Sequence, residues 1–425
     1  MLCFLAVVLA VLGSGCGAKT DLDVASAVEA GGDAFVARRD AAVGRRDGGV
    51  RDAGRDAPGL DAGPECTWRE VGAPLDVFRE PTGIFSRPQV VRMGEDTALV
   101  ATHTTEAGRV SLHVARLTAD RALTDFGRLD DPSFARASGP AVAAPSGMML
   151  GVCVPDPDGT AVLQRHTLPT FAMSSRQPLG EFARCVAASG VGERTLLATG
   201  RSSPDGDRPF VMHFASAGAF TPRPALSDPA ARGPIATAVF DEGFVWAGPT
   251  DGFGRIEVVF FPGVSPRPMM VAGFPRADGV PPVLARWPYA SRAVAIVTSG
   301  GGLRLAVITE DGDELLRNDA LAFQMFATPV PAMASIPAGL LLAQLDFGDA
   351  DPFSGQISVH SIGRDGRADL VGPGPFGVSR RFESEGAEVD ADGDADRVVV
   401  HYSWSSHSPG VVVETRTHAL IFACQ

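Results

Sequence analysis

The sequence predicts an all-β fold built from a repeated four-stranded unit, and three observations support this. Short segments rich in Val, Leu and Ala recur along residues 65–425 at nearly regular spacing. Turn-forming residues are abundant between them, since the 425-residue chain contains 49 Gly and 33 Pro. Amphipathic periodicity of the helical kind is nearly absent. Together these features indicate many short strands joined by tight turns.

Each repeat begins with a short segment that places a Pro or a charged residue beside small apolar residues. The seven copies start at Pro88, Pro140, Arg184, Pro234, Pro281, Pro329 and Ala387. The spacing of roughly 44 to 58 residues lies in the range of propeller-type arrays.

A nearly continuous apolar strand follows each start. These second strands cover residues 97–103, 148–154, 194–200, 243–248, 293–299, 340–346 and 397–403. A strand that is apolar on both faces has to be covered on both faces. Radial stacking of sheets provides that cover.

A third strand follows a polar loop in every unit, at residues 110–117, 161–168, 210–216, 255–261, 303–309, 356–362 and 417–423. More polar outer strands come next, for example at residues 122–129. Seven units of four strands predict a seven-bladed β-propeller of four-stranded antiparallel blades at residues 65–425. We expect this domain to be monomeric.

The two ends of this domain complement each other. The seventh unit ends after its third strand at Ala423, and an unassigned strand-like segment, residues 67–75, precedes the first unit. The sequence therefore predicts that the N-terminal segment supplies the missing outer strand of the last unit. Given that arrangement, Cys66 and Cys424 lie next to each other and form a disulfide.

Four cysteines belong to the predicted domain, namely Cys66, Cys153, Cys185 and Cys424. Four thiols allow three pairings. Cys153 ends the second strand of one unit and Cys185 begins the first strand of the next, which favours a Cys153–Cys185 disulfide between neighbouring units. No pair has the spacing of a zinc or redox motif.

The N-terminal residues 1–16 predict an export signal. Residues 2–12 are entirely apolar, which is about the length of a signal-peptide core and shorter than a membrane-spanning helix. The segment Leu12-Gly13-Ser14-Gly15 before Cys16 resembles the lipobox of Gram-negative bacterial lipoproteins. The resemblance implies that Cys16 carries the lipid and that the protein is an outer-membrane lipoprotein, with the membrane as its partner. Ordinary cleaved secretion and a retained anchor are the alternatives.

Residues 17–64 form a region of different composition, rich in Asp, Ala, Gly and Arg. Such a segment has little aromatic or β-branched surface to bury, so burial cannot offset the entropy lost on ordering. We interpret this region as a disordered linker that holds the domain away from a membrane.

One acidic segment suggests a metal. Asp390, Asp392, Asp394 and Asp396 alternate along VDADGDAD, and such oxygens can surround a Ca²⁺ ion. The run is similar to the calcium loops of integrin-type propeller blades, and this similarity implies a structural Ca²⁺ site. The residues themselves favour a solvated hairpin turn, so the Ca²⁺ site is the alternative, and no other cofactor is predicted.

Other features bear on function. The net charge of −13 argues against nucleic-acid partners and anionic membrane surfaces. The five third-strand histidines, His113, His166, His213, His360 and His418, belong to different units and are expected to lie too far apart to share an ion. Loops between second and third strands carry several aspartates, among them Asp349 and Asp351, on one rim.

No catalytic motif was found, neither GxSxG, HExxH nor a phosphate-binding loop. The sequence therefore predicts a non-enzymatic module that binds or scaffolds a protein or glycan at the cell envelope. One alternative is a propeller-type hydrolase or lyase, with Asp205 and Asp251 as candidate acids at the channel mouth. A structural envelope protein is another.

Overall fold

The fold is taken from a computed structural model of the chain. It describes residues 67–129, 142–146, 149–155, 161–168, 170–179, 184–191, 194–201, 208–216, 219–224, 236–239, 243–249, 255–262, 267–272, 282–299, 302–321, 331–347, 354–371, 376–379, 389–393, 396–408 and 411–425. All of these residues belong to Pro58–Gln425, one of the two units into which the chain divides. Within these ranges no helix has the length and apolar character needed to cross a bilayer.

The described residues form thirty strands. In chain order the first ten are β1 (Trp68–Glu70), β2 (Leu75–Glu80), β3 (Ile84–Met93), β4 (Asp96–Thr104), β5 (Val110–Leu117), β6 (Leu123–Leu129), β7 (Val142–Ser146), β8 (Met149–Pro155), β9 (Ala161–Thr167) and β10 (Met173–Pro178). The next ten are β11 (Arg184–Val191), β12 (Arg194–Arg201), β13 (Arg208–Ser216), β14 (Ala219–Pro224), β15 (Ala236–Val239), β16 (Gly243–Pro249), β17 (Arg255–Pro262), β18 (Arg267–Ala272), β19 (Val283–Arg286) and β20 (Ala293–Ser299). The last ten are β21 (Leu303–Thr309), β22 (Glu314–Leu321), β23 (Ala332–Ile336), β24 (Gly339–Phe347), β25 (Ser354–Ile362), β26 (Ala368–Leu370), β27 (Phe376–Ser379), β28 (Val389–Gly393), β29 (Arg397–Ser408) and β30 (Val411–Cys424).

These strands make seven antiparallel sheets, which we number along the chain. The first five sheets each contain four consecutive strands, β3–β6, β7–β10, β11–β14, β15–β18 and β19–β22. The sixth contains β23–β27, and the seventh contains β28–β30 together with β1 and β2. The first strands contact one another in a closed cycle, β3, β7, β11, β15, β19, β23, β28 and back to β3. The all-β propeller architecture predicted from the sequence is confirmed.

The second strands lie between two apolar cores, as their composition predicts. In β4, Ala98 and Val100 pack into the core between the first and second sheets. Leu99 and Ala101 pack into the core between the seventh and first sheets. Because neighbouring side chains of a strand point to opposite faces, a continuously apolar strand fills two cores at once.

The N-terminal strands complete the seventh sheet from outside. We call residues 67–80 the N-terminal strap. The sequence predicts a single strand at residues 67–75, but the structure has two, β1 and β2, and both pair with β30. Gly72, with φ +82°, lies in the turn between them and adopts the left-handed conformation that glycine favours. The predicted pairing of the two chain ends is present, and the strap extends further than predicted, to Glu80.

Candidate functional site at the closing seam

The interface between the seventh and first sheets joins two sheets that contain ten of the sixteen buried polar residues given for the described part of the chain. We call this interface the closing seam, because it joins the last sheet of the cycle to the first. The buried polar residues of these two sheets are Ser86, Thr97, Thr102, His103, Ser111, His113, His401, Ser403, Thr415 and Thr417. Some of these groups bond between the two sheets, as Thr415 does when its hydroxyl accepts from the N–H of Phe85 at 3.0 Å, and such bonds specify how the sheets fit together.

Asp390 crosses the seam from the innermost strand of the seventh sheet. Its carboxylate accepts a hydrogen bond of 2.8 Å from the backbone N–H of Val90 in β3. Removal from water, which disfavours the charged form, raises the pKa of Asp390 to about 7, and the nearby Asp392 acts in the same direction. This carboxyl group can therefore take up a proton close to neutral pH.

His401 is the direct cross-strand partner of Asp390 in the β28–β29 ladder. Its Nδ1–H donates to the backbone oxygen of Gln89 at 3.2 Å, and its Nε2 accepts from the Thr417 hydroxyl at 2.9 Å. Burial lowers the pKa of His401 to about 3. The imidazole is therefore neutral at physiological pH, and its two bonds join β3, β29 and β30.

Aromatic and imidazole rings fill the apolar part of the seam. Phe78 of the strap contacts His113 and His401, with ring centroids 5.6 and 6.1 Å apart. Phe85 contacts His103 and His113, with centroids 4.9 and 5.1 Å apart. The strap thus supplies a ring that connects histidines of two different sheets.

Arginines close the rim of the seam. Arg92 in β3 donates to the backbone oxygen of Gly393. Arg397 in β29 donates to the backbone oxygens of Thr118 and Ala119 at 3.4 and 3.1 Å. Because guanidinium groups present several donors in a fixed geometry, they satisfy turn carbonyls that the strand ladders leave open.

A ladder of charged groups connects the strap to β30. Asp76 lies 3.0 Å from His418 and 3.6 Å from Arg416. Glu414 pairs with Arg416 at 2.6 Å and also with Arg79. The hydrogen bond from Arg416 holds the pKa of Glu414 below its usual value. These partly exposed pairs fix the register of β2 more than they add stability.

The predicted calcium residues are partly described. Asp390 and Asp392 lie on the same strand, and the Asp392 carboxylate accepts from the Gly393 N–H at 2.7 Å. Asp396 is exposed, and its backbone oxygen accepts from the N–H of Cys424 at 2.9 Å. Asp394 lies outside the described residues. Within the described ranges no three His, Cys, Asp or Glu residues could hold a metal ion together.

The predicted cysteine pairs are also partly described. Cys153 and Cys185 form a disulfide between β8 and β11, with Cα atoms 6.0 Å apart, so this predicted bond joins the second and third sheets. Cys424 is disulfide-bonded as well. Its partner lies outside the described residues, as do Cys66 and the predicted lipid attachment site Cys16. Thr67, the residue after Cys66, makes paired backbone hydrogen bonds of 3.3 and 3.0 Å with Gln425.

Sequence reasoning missed the convergence of histidines at the seam. His113 and His418 occupy third strands of different sheets, as predicted, yet both contact β2, His113 through Phe78 and His418 through Asp76. The sequence signal was available in the strap, where Asp76 and Phe78 follow the strand predicted at residues 67–75. Asp205 and Asp251, the candidate acids of the enzymatic alternative, lie outside the described residues.

No family model and no curated protein matches the chain. Among solved structures, the chain is similar to the lectin of the fungus Aleuria aurantia, described as a six-bladed β-propeller with fucose recognition, at 11% identity, 71% and 97% coverage of the two chains and a TM-score of 0.42. It is also similar to the phage phi92 endosialidase, at 9% identity, 85% and 69% coverage and a TM-score of 0.47. AztD from Citrobacter koseri matches at 13% identity, 75% and 100% coverage and a TM-score of 0.43.

Proposed function

We propose that this chain is an exported, membrane-tethered lipoprotein whose propeller is a non-enzymatic module that binds or scaffolds a protein or glycan. In this proposal each of the seven sheets is one blade of a single ring, and residues 17–64 are the tether. A structural Ca²⁺ ion at the Asp390–Asp396 segment remains part of the proposal.

The observation that carries the proposal is the closed cycle of first strands, joined at the seam by both chain ends. Connections between second and third strands lie at one end of each antiparallel sheet, and connections between third and fourth strands lie at the other. We infer that the segments at one of these ends carry the recognition surface, because binding residues are found most often on such connections.

Binding is tested with the purified protein on a glycan array and against solubilised envelope proteins. Asp349 and Asp351 lie in the segment that joins β24 to β25. Because their negative charges would attract a ligand to this rim, Asp349→Asn with Asp351→Asn should weaken the binding of that ligand at least tenfold. Asp311→Asn with Asp313→Asn is the matched control, since these residues lie in the β21–β22 turn at the other end of a sheet. Loss of binding in the control alone contradicts a site on the predicted rim.

The tether is tested by expression in a Gram-negative host. Cys16→Ser should move the protein from the membrane fraction to the soluble envelope fraction and abolish incorporation of a labelled fatty acid. Cys3→Ser should change neither. Retention of the Cys16→Ser protein in membranes contradicts lipid attachment at Cys16.

Two alternatives give different results in the same assays. Turnover of glycosides, lactones or esters by the purified protein, lost on substitution of Asp205 or Asp251, supports a hydrolase or lyase. Absence of any ligand together with periodic arrangement in isolated envelopes supports a structural protein.

A further inference from the structure

We propose that the edge of β30 is a strand-accepting surface, and that the N-terminal strap exchanges onto it between two copies of this chain when the Cys424 disulfide is reduced. The strap is the only part of the seventh sheet, among the described residues, that is distant in sequence from the rest of that sheet. This inference is independent of the ligand-binding function proposed above.

The first half of the acceptor surface receives Trp68. This side chain is buried in the core between the sixth and seventh sheets, beside Ile336, Val398 and Phe422. A Cβ added at Gly339 would lie 2.9 Å from the indole Nε1, so the ring lies directly against the backbone of the β23–β24 turn. This position accepts a large flat aromatic side chain.

The second half receives Val77 and Phe78. Both are buried in the core between the seventh and first sheets, on the opposite face of the seventh sheet from Trp68. The strap therefore covers the outer edge of β30 and packs on both faces of the sheet. An occupant needs a Trp, a turn and a Val-Phe pair at the same spacing, which a second copy of this chain supplies by identity.

Backbone pairing makes the surface specific for an extended segment. β1 pairs with Phe422, Ala423 and Cys424, and β2 pairs with residues from Thr415 to Ala419. The N–H of Val71 donates to the oxygen of Ile421 at 2.8 Å between the two strands. Addition of a strand to a sheet edge in this manner is a general mode of peptide recognition.

Three residues, Pro81, Thr82 and Gly83, connect the strap to β3. Gly83 has φ +83°, and a Cβ there would lie 2.5 Å from the oxygen of Thr104. A terminal element joined by a short, tightly packed connection is the arrangement in which exchange between copies occurs at low cost, because every strap contact is regained in the partner.

The Cys424 disulfide prevents exchange while it is intact. Two molecules of glutathione reduce it by thiol–disulfide exchange, which gives two cysteine thiols and one oxidised glutathione. Oxidised glutathione then reoxidises the exchanged pair by the reverse reaction, which releases two molecules of glutathione and links Cys424 of one copy to the corresponding cysteine of the other. The bridge thereby becomes intermolecular.

The test uses two preparations of the full chain, one with an affinity tag and one without. They are mixed, incubated with reduced glutathione and reoxidised, and the tagged chain is captured under non-reducing denaturing conditions. We expect co-capture of untagged chain, its loss when both preparations carry Cys424→Ser, and its persistence when both carry Cys153→Ser and Cys185→Ser. An excess of a synthetic peptide of residues 67–80 should reduce the capture.

Two further measurements separate exchange from unfolding. On reduction, hydrogen exchange at the Val71 amide should rise about tenfold, whereas exchange at the Val371 amide, which donates to Val359, should not change. Gly83→Ala should increase the captured fraction, and Gly94→Ala, at another left-handed glycine with φ +67°, should not. Purely intramolecular reoxidation, or equal changes at both amides, overturns the proposal.

Discussion

Asp390 and His401 are adjacent across one strand pair and respond to burial in opposite ways. Desolvation raises the pKa of the acid to about 7 and lowers that of the base to about 3. Both groups are therefore uncharged over part of the acidic range. Above neutral pH the Asp390 carboxylate is charged, and the bond from Val90 is its one cross-sheet donor given by the described residues.

We predict that Asp390→Asn removes a pH dependence of stability. The folded chain binds a proton at Asp390 between pH 3.8, the ordinary value, and about 7, whereas the unfolded chain does not. The stabilisation that comes from this proton is complete below pH 3.8 and is lost as the pH rises through about 7. The free energy of unfolding of the variant relative to the natural chain should therefore rise by about 1.4 kcal/mol per pH unit across this window.

Urea denaturation at several pH values measures this difference. Ser86→Ala, which changes a buried side chain that does not titrate, is the control and should give a curve parallel to that of the natural chain. His401 contributes a pH dependence of the free energy of unfolding with the opposite sign, because the stabilisation from its neutral imidazole is lost as the pH falls from 6.5 towards 3. A parallel curve for Asp390→Asn as well shows that this carboxyl group does not titrate in the seam.

At the scale of elements, the outer strands differ in how much they contribute to the free energy of unfolding. Phe78 on β2 is 6% exposed and contacts three rings, whereas Phe126 on β6 is 59% exposed. We predict that Phe78→Ala lowers the free energy of unfolding by about 3–5 kcal/mol. Phe126→Ala should change it by less than about 0.5 kcal/mol. Equal effects in urea denaturation contradict the assignment of β2 to the core.

The disulfide between β8 and β11 links two sheets that are consecutive along the chain. The bonded cysteines are separated by 32 residues, and in the chain-entropy model a loop of that size contributes about 3–4 kcal/mol. We predict that the double variant Cys153→Ser, Cys185→Ser is destabilised by about this amount under oxidising conditions. Chemical denaturation of the oxidised proteins measures it, and an unchanged midpoint contradicts the prediction.

Strand β4 could be predicted because Ala98, Leu99, Val100 and Ala101 are apolar on both faces, and only a sheet covered on both sides buries them all. The split of the strap into β1 and β2 could not, because it depends on the length of β30, whose two ends pair with different strands. The regular repeat carries no information about that length.

The seam illustrates the same limit. Alternating aspartates at 390–396 indicate an oxygen-rich loop, but the sequence cannot show that Val90, 300 residues away, donates to one of them. The position of His113 near His401 depends likewise on Phe78, which comes from a third strand. These side chains meet because the ring closes, and no local pattern in the sequence indicates that they do.

At the scale of the whole molecule, each sheet of a closed cycle packs on two neighbours, and the described cores lie between successive sheets. Loss of one interface opens the ring but leaves every sheet with one neighbour. A partly opened ring exposes two apolar faces that the closed ring buries, so it is less favourable than the closed ring. Unfolding should therefore be cooperative over the seven sheets.

Combining Phe78→Ala with the double variant Cys153→Ser, Cys185→Ser tests this cooperativity. Phe78 lies at the seam and the Cys153–Cys185 bond lies between the second and third sheets, so the sites share no contacts. Their effects on the free energy of unfolding should add to within about 0.5 kcal/mol. Transitions followed by tryptophan fluorescence and by far-ultraviolet circular dichroism should coincide in all three variants. Separate transitions by the two probes, or a second transition in the Phe78→Ala protein alone, show instead that the seam unfolds independently of the remaining sheets.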